Sequence, residues 1–372
     1  MRRSALGQLR IRKVRSSRAK SRGAAQRVST SLDTNGVGAM IKYASGAIAL
    51  AASALAAPPL AAQAPGARSA VNIVACPREC LIGHLRRYMG ALAAHKPGTL
   101  PVAKTVMFTE NNVALPLGTG LWGTISAVAP AGLELADPET GNAAWFGVVQ
   151  EHGVAAYLAL RLHVRDGLID EVESVVHRKS SLPAPYGDPT KVEHDPAFLE
   201  VLPPAERRPR QRLIAVAQSY FNTVELNDGT VFAPFDDECA RLENGISTTA
   251  APKAGQPGNA SNIAAGCEAQ FKLGIYHINK RIRERRYPLV DEERGVVVAS
   301  GFFDHDNERD KYPLTNGVEM KTALKWPNSI TLLEAFRVRN GKIQRIEAVF
   351  TYVPYFMHNP WARGREHGEV GE

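Results

Sequence analysis

The sequence lacks the short motifs that mark many well-characterised catalytic centres. It contains no P-loop, no nucleophile elbow of the kind found in Ser/His/Asp hydrolases, and no cysteine–histidine spacing typical of zinc sites. Gly118 to Gly123 formally matches G-x-G-x-x-G, but this stretch follows a hairpin instead of opening a βαβ unit. We therefore expect no dinucleotide, no metal ion and no other cofactor.

A basic surface is also missing from most of the chain. The formal net charge is +8, yet residues 1–39 contain ten Lys or Arg side chains and only one acid, Asp33. Residues 65–372 are slightly acidic in total. Because nucleic-acid binding depends on clustered basic side chains, we expect no nucleic-acid partner.

Long apolar runs are scarce, and the clearest one extends from Ala44 to Ala57. It follows Met40 and Lys42 and precedes Ala62-Gln63-Ala64, which is the order of a charged region, an apolar core and a cleavage site in a signal peptide. The run is rich in small residues and ends at two prolines, so a permanent membrane span is the weaker interpretation. We predict a signal peptide over residues 40–64, export to the periplasm or medium, and no stable span after cleavage.

The basic extension over residues 1–39 has no apolar period. Three interpretations remain open for it: a start codon assigned upstream of the true start at Met40, a targeting extension, or a basic arm for nucleic acid. On the first interpretation the mature protein begins near Ala64.

The remaining sequence contains one phrase twice. Val338 to Tyr352 has the alternation of a β-strand after a turn at Asn340-Gly341, a dipeptide that favours tight hairpins. Val164 to Val176 repeats this pattern, with Asp166-Gly167 at the turn.

A helix precedes each hairpin with matching apolar spacing, which indicates that the hairpin is part of a larger repeat. The first helix places Leu81, Leu85 and Tyr88 on one face, and the second places Leu213, Ala217 and Tyr220 there. Each helix is followed by a Glu-Asn turn, at Glu110-Asn111 and Glu243-Asn244. We therefore predict two copies of one α+β domain, each a curved antiparallel sheet packed on N-terminal helices in a cone. The predicted segments are a basic extension (1–39), a signal peptide (40–64), a first domain (72–178), a proline-rich linker (179–209), a second domain (210–361) and a tail (362–372).

Cysteine is rare, and the four cysteines divide evenly between the copies. Export favours disulfides, and of the three possible pairings the simplest joins Cys76 to Cys80 and Cys239 to Cys267. Cys76 and Cys80 are only four residues apart at a helix start, which is close to the limit of disulfide geometry.

The second copy differs from the first in two loops. Ala251 to Ala265 is a low-complexity stretch, and the tight turn at His152-Gly153 is replaced by a long polar loop from Asp304 to Asn328. Long loops without an apolar period are often lids or binding loops. We therefore expect any ligand site in the second copy, under the Asp304–Asn328 loop.

The chain resembles the nuclear-transport-factor-2-like (SnoaL-like, cystatin-like α+β) superfamily, and within it a secreted fungal and bacterial family of unknown function. The matching stretches include Cys76 to Leu81, Phe108 to Asn111, Gly120 to Trp122, Cys239 to Gly245, Arg286 to Pro288, Phe303 to His305 and Gly341 to Phe350. The resemblance implies a cone with a cofactor-free pocket and leaves the chemistry open, because one fold carries many functions.

The resemblance to enzymes of this superfamily implies a base and an acid inside a pocket with an apolar wall. Asp304 and His305 are the best candidates, and strand alternation allows only one of them to enter a pocket. Tyr287 and Arg241 are candidate donors. An exposed loop start remains the alternative for Asp304 and His305.

Further candidate ligand-binding residues have a structural alternative in each case. Glu110 and Glu243 lie beside turns that they could simply hold, and Arg241 could pair with Glu243. Trp122 could cover the mouth of the first cone, and His277 could be a packing or surface group. Glu173 and Glu347 lie opposite the apolar face of their strands and are expected at solvent or at an interface.

Two functions of different class follow from these observations. One is a cofactor-independent lyase, isomerase or hydrolase that acts on a small apolar or aromatic molecule. The other is an exported ligand-binding or protein-interaction module without turnover. Two convergent ionisable groups in an apolar pocket would favour the enzyme, and a filled cone would favour the module.

Overall fold

The computed structural model describes residues 76–180, 182–249, 266–322 and 324–362, all of which belong to one compact unit. The predicted basic extension, the signal peptide, the whole low-complexity loop and almost all of the tail lie outside these residues. Within the described part of the chain, no helix has the length and apolar character needed to cross a bilayer.

The first half, residues 76–178, is an α+β arrangement of one long helix and a six-stranded sheet. Its main elements are α1 (Arg78–Ala93), β1 (Val102–Glu110), β2 (Val113–Ala114), a one-turn helix α2 (Leu121–Thr124), β3 (Ile125–Asp137), β4 (Asn142–Glu151), β5 (Val154–Arg165) and β6 (Leu168–Arg178). The strand order is β2-β1-β6-β5-β4-β3.

The second half, residues 210–362, has the same order of strands in its main sheet, β8-β7-β14-β13-β10-β9. Its elements are α3 (Arg210–Leu226), β7 (Phe235–Glu243), β8 (Ile246–Ser247), α4 (Cys267–Leu273), β9 (Arg281–Asp291), β10 (Val296–His305), β11 (Lys311–Pro313), β12 (Glu319–Lys321), β13 (Asn328–Arg339) and β14 (Lys342–Val353). Strands β11 and β12 form a separate hairpin inside the long loop after His305.

Both main sheets are mixed, so the prediction of purely antiparallel sheets is wrong in one respect. Strand β1 pairs parallel to β6, and β7 pairs parallel to β14. The reason is topological: β3 to β6 form an antiparallel meander whose last strand returns beside β1 in the same direction, and parallel neighbours need such a long connection. This pairing depends on contacts distant in sequence, which local patterns do not report.

The repeated hairpin turns have the predicted backbone. Asn340 and Gly341 have φ angles of 53° and 78°, and Asp166 and Gly167 have 51° and 76°. Successive left-handed residues define a type I′ turn, whose twist matches that of the paired strands. These turns fix the register in which β5 pairs with β6 and β13 with β14.

Each long helix buries the predicted apolar face against one side of its sheet. Tyr88 on α1 and Tyr220 on α3 are both almost completely buried. In each half, these helix residues join the inward-facing strand residues in a single apolar cluster. A third cluster contains Phe146 and Val175 from the first sheet and Val298 and Leu333 from the second. The two sheets therefore pack on each other through the faces turned away from the helices.

A buried ion cluster crosses this contact between the halves. The Glu173 carboxylate on β6 accepts hydrogen bonds from Arg161 Nε at 3.0 Å and from Arg286 of β9. Glu173 is 2% exposed and Glu347 is 5% exposed, so the interface alternative holds for both and the solvent alternative does not. On the edge of the contact, Glu347 binds His194 at 2.7 Å.

We expect Glu173→Ala to lower the free energy of unfolding by about 3 kcal/mol, because it removes the buried carboxylate that joins Arg161 and Arg286. Arg161 keeps Glu171 as a second partner at 2.8 Å. Chemical denaturation measures this loss. Glu134→Ala is the matched control: it breaks the Arg86–Glu134 pair, in which the arginine side chain is 67% exposed, and should cost less than about 1 kcal/mol. Equal effects of the two substitutions would contradict the assigned role of the cluster.

Both predicted disulfides are present, Cys76–Cys80 and Cys239–Cys267. The second joins β7 to the start of α4 across a sequence separation of 28 residues. It therefore attaches the short helix directly to the sheet.

Removal of the Cys239–Cys267 bridge by a double substitution to Ala should lower the free energy of unfolding by roughly 3–4 kcal/mol on the loop-entropy model. The same substitution at Cys76 and Cys80 should cost roughly 2 kcal/mol, because that bridge closes a much shorter loop. Denaturation under non-reducing conditions measures both values. An unchanged midpoint for the first variant would contradict the expectation.

Candidate functional site

A cavity of about 400 Å³ lies in the second half, between α3 and the inner face of the sheet. This volume is in the range of small-molecule sites. The exposed residues Pro183 and Lys321 are part of its wall, so the cavity reaches the surface between the linker and the β11–β12 hairpin. Its wall also includes Tyr220, Val224, Arg241, Glu243, Tyr276, Phe303, His305, Tyr312, Leu324, Ile330, Leu332, Glu334, Ala348, Phe350 and Tyr352.

Strand register places two carboxyl groups side by side at one end of the cavity. Glu334 on β13 is opposite Ala348 on β14, and Ala348 is opposite Glu243 on β7. Directly opposed residues point to the same face of a sheet, so the small side chain of Ala348 separates the two acids. Two strand spacings put their backbones about 10 Å apart.

Glu334 is a buried acid in an apolar surrounding. Glu334 is 2% exposed, and its Oε2 atom has no protein hydrogen-bond partner. Burial and the negative charge of Glu243 raise the pKa of Glu334 to about 8, against a smaller opposing effect of Arg241 and a hydrogen bond with Tyr220. Glu334 is therefore mainly protonated at neutral pH and can donate a proton.

Arg241 on β7 places a positive charge beside these acids. Its guanidinium donates to Gln270 Oε1 at 2.5 Å, to the Tyr276 hydroxyl and to the Tyr220 hydroxyl at 3.4 Å, and it lies 3.8 Å from Glu243. Burial opposes its charge, but the attraction of Tyr276 and Glu243 holds its pKa well above the ordinary value. Arg241 therefore stays charged although it is 2% exposed.

Helix α4 fixes the position of this guanidinium. Gln270 donates from Nε2 to the Thr248 carbonyl at 2.6 Å while its oxygen accepts from Arg241. The Phe271 ring lies 5.1 Å from the Arg241 guanidinium carbon. Because the Cys239–Cys267 bridge ties the start of α4 to β7, it holds both residues against Arg241.

His305 lines the opposite end of the cavity, whereas Asp304 points to the other face of β10. The ring nitrogens of His305 lie 3.2 Å from Asn328 Oδ1 and 2.8 Å from Asn279 Oδ1, and burial lowers its pKa. Asp304 binds Arg281, Arg283 and Ser329 instead. As strand alternation requires, one neighbour faces the cavity and the other does not.

The other predicted residues are not brought together with this group. The Tyr287 hydroxyl binds Gln218, and His277 contacts the carbonyl oxygens of Leu226 and Asn227 at the end of α3. Neither Tyr287 nor His277 is part of the cavity wall. The catalytic donor role of Tyr287 and the ligand-binding role of His277 therefore remain predictions that their positions do not support.

Glu110 and Trp122 lie in the first half, where they hold local structure. Glu110 Oε2 accepts from the Leu121 backbone at 2.6 Å, and Oε1 accepts from Arg178 at 2.9 Å. Trp122 is 2% exposed and donates from Nε1 to the Tyr88 hydroxyl at 3.1 Å. Trp122 therefore fills the interior beside α1.

The first half has apolar residues at the positions of Arg241 and Glu334. Phe108 pairs with Val172 as Arg241 pairs with Ile346, so Phe108 corresponds to Arg241. Leu160 pairs with Ser174 as Glu334 pairs with Ala348, so Leu160 corresponds to Glu334. Phe108 and Leu160 are 3% and 1% exposed, respectively. Equivalent positions thus contribute to a filled core in one half and to a cavity in the other.

One group of possible metal ligands occurs among the described residues. Cys76, Cys80 and His84 place one ligand atom each within 4.8 Å of one another. Both sulfur atoms are joined in the disulfide, so they offer no thiolates to a metal.

Comparison with known proteins gives one family match. Residues 206–350 match a family model described as a domain of unknown function (DUF8021). A search of curated proteins finds no match.

Several solved structures resemble part of the chain. A Bacillus subtilis protein assigned as an isomerase is 10% identical, with 38% of this chain and 87% of that one covered and a TM-score of 0.25. A Xanthomonas campestris protein assigned as a polyketide cyclase is 18% identical, with 38% and 92% covered and a TM-score of 0.24. The Candida albicans Mtr2–Mex67 M domain complex gives 14% identity, 39% and 98% coverage and a TM-score of 0.24. At these scores the likenesses carry no argument about activity.

Glu334→Gln should change how stability depends on pH. The pKa of Glu334 is about 8 in the folded state and near 4.5 ordinarily, so the folded state keeps a proton that the unfolded state releases. The wild type should therefore lose roughly 3–5 kcal/mol relative to the variant as the pH rises from 5 to 9, since Gln does not titrate.

Urea denaturation at several pH values measures this difference. Glu319→Gln, which removes an exposed acid of the β11–β12 hairpin, should give the wild-type profile. Parallel profiles for the wild type and Glu334→Gln would show that Glu334 titrates normally.

Proposed function

We propose that the second half is a cofactor-independent acid–base enzyme of the lyase, isomerase or dehydratase type, acting on a small apolar or aromatic molecule. The observation that carries this proposal is Glu334, a protonated carboxyl group with an unpartnered oxygen in the wall of an apolar cavity. A carboxylic acid kept neutral near pH 7 is suited to general acid catalysis.

The two carboxyl groups have different surroundings, which supports different roles. Glu243 lies 3.8 Å from the Arg241 guanidinium, whereas Glu334 is shielded from water and faces the charge of Glu243. Environments that favour opposite protonation states separate an acid from a base. In this proposal Glu334 donates a proton to an oxygen of the substrate and Glu243 accepts one from a carbon or a water molecule.

We further propose that the chain arose by duplication of one nuclear-transport-factor-2-like domain. The shared strand order, the paired turn angles and the equivalent helix faces support two cone-shaped copies. The exchange of Phe108 and Leu160 for Arg241 and Glu334 supports specialisation of the second copy. The first copy then acts as a scaffold that covers the outer face of the second sheet.

Export from the cytoplasm is part of the same proposal. Two disulfides within the described residues fit an oxidising compartment. The signal-like run after Met40 supplies the route.

The test is proton exchange or water loss from small carbonyl compounds. Wild-type protein is incubated in D₂O with a panel of apolar ketones and β-hydroxyketones, and NMR follows deuterium incorporation and elimination. We expect Glu334→Gln to lower the rate by about 10²–10⁴-fold, the usual contribution of a general acid or base.

Glu110→Gln is the matched control, because Glu110 occupies the register position of Glu243 in the first half and does not line the cavity. It should leave the rate unchanged. Binding of the ketones without any exchange or elimination would support the alternative of an exported binding module. Equal rates in wild type and Glu334→Gln would refute the role of Glu334.

A further inference from the structure

The polar groups of the cavity are almost all occupied by protein partners. The Tyr312 hydroxyl donates to the Ile275 carbonyl at 2.6 Å, and the Tyr352 hydroxyl donates to the Pro183 carbonyl at 3.3 Å. Both ring nitrogens of His305 face asparagine oxygens. These side chains therefore present their apolar surfaces to a ligand.

Unused hydrogen-bonding capacity is concentrated at the end where Glu334 lies. Among the buried side chains of the wall within the described residues, Glu334 Oε2 and Arg241 Nε are the polar atoms without a partner. Buried polar atoms without partners are costly, so a ligand that supplies a partner there gains affinity. Between this end and the opening, a second polar group of the ligand would face the apolar side chains of Leu332, Ile330 and Phe350.

The apolar section of the cavity is elongated. From Glu334, the inward-facing residues of β13 continue through Leu332 to Ile330, and Phe350 and Tyr352 of β14 lie opposite them. Four residues of strand correspond to about 13 Å. A ligand can thus extend from Glu334 to the opening beside Lys321 without meeting a free polar group on these strands.

The charges at the Glu334 end of the cavity already balance. Arg241 is positive and Glu243 is its nearest carboxylate, at 3.8 Å. Glu334 is neutral, because its burial favours the protonated form. An anionic ligand would add an uncompensated charge beside Glu243, and a cationic one would lie beside Arg241. Buried charge without a partner is strongly disfavoured.

From these observations we propose that the substrate is an uncharged, elongated apolar molecule with one oxygen function, which enters oxygen first and bonds to Glu334 and Arg241. This inference rests on the proposed function and specifies the substrate class of that site. We expect carboxylates, amines and polyhydroxylated molecules of the same length to bind more weakly, because of the charge balance at the Glu334 end and the apolar section beyond it.

The test compares three probes of equal chain length: 2-decanone, decanoate and decylammonium. Isothermal titration near pH 7 should show that 2-decanone binds at least about tenfold more tightly than either charged probe, as expected for a desolvation difference above 1.4 kcal/mol. Decanoate or decylammonium binding as tightly as 2-decanone, or no binding of 2-decanone, would overturn the proposal.

A charge variant makes the test sharper. Glu243→Gln removes the counter-charge of Arg241, so the affinity ratio of decanoate to 2-decanone should rise by at least about tenfold. Glu79→Gln removes an exposed acid of α1 in the first half that is not in the cavity wall, and its ratio should equal that of the wild type. An unchanged ratio in Glu243→Gln would contradict the charge-balance argument.

Failure of this proposal and failure of the proposed function give different results. If 2-decanone binds with the expected selectivity but the wild type catalyses no exchange or elimination, the substrate class stands as a ligand class and the enzyme proposal fails. If Glu334-dependent turnover occurs only with charged compounds, the enzyme proposal stands and this one fails.

Discussion

The structure of the second half depends on keeping one guanidinium charge in the protein interior. Arg241 can stay charged there because Gln270, Tyr276 and Tyr220 accept its hydrogen bonds and Glu243 balances its charge. Moving a charged group from water into the protein interior costs several kcal/mol unless such partners are present. The disulfide-tethered helix α4, which brings Gln270 and Phe271 to this charge, is therefore part of the site as well as of the fold.

Burial then separates the behaviour of the two acids. Glu243 is close to the positive charge, whereas Glu334 is surrounded mostly by apolar atoms and keeps its proton. In the first half Phe108 and Leu160 occupy the positions of Arg241 and Glu334, and Trp122 and Tyr88 fill the interior. Equivalent strand positions thus carry core residues in the first half and cavity-lining residues in the second.

Much of the fold could be predicted because it is encoded by local patterns. The helix faces around Tyr88 and Tyr220 follow a period of 3.6, and Asn-Gly or Asp-Gly turns require left-handed residues. The parallel pairing of β1 with β6 was missed because it joins residues far apart in sequence. Strand β3 has no clear alternation in the sequence, because Pro130 and Gly132 interrupt it, and its pairing with β4 is irregular between Val128 and Gly132.

The site could be predicted only in part. Arg241, Glu243 and His305 line the cavity, and the long loop after His305 contributes to its wall. Glu334 was missed, although the inward positions Ile330, Leu332, Glu334 and Phe336 contain an acid within an apolar series. An acid on an apolar strand face is the available signal. The proximity of Glu334 to Glu243 depends on the register of three strands. Register cannot be predicted from the sequence of one strand alone.

Glu334 is a protonated acid beside the Arg241–Glu243 pair in the wall of the cavity. Carbon-13 NMR of protein with labelled glutamate side chains measures this directly, with Glu334→Gln used to assign the resonance. We expect the Glu334 carboxyl carbon to show the chemical shift of the protonated acid at pH 7 and to titrate with a pKa of about 8. A Glu334 resonance that is already ionised at pH 6 would contradict it.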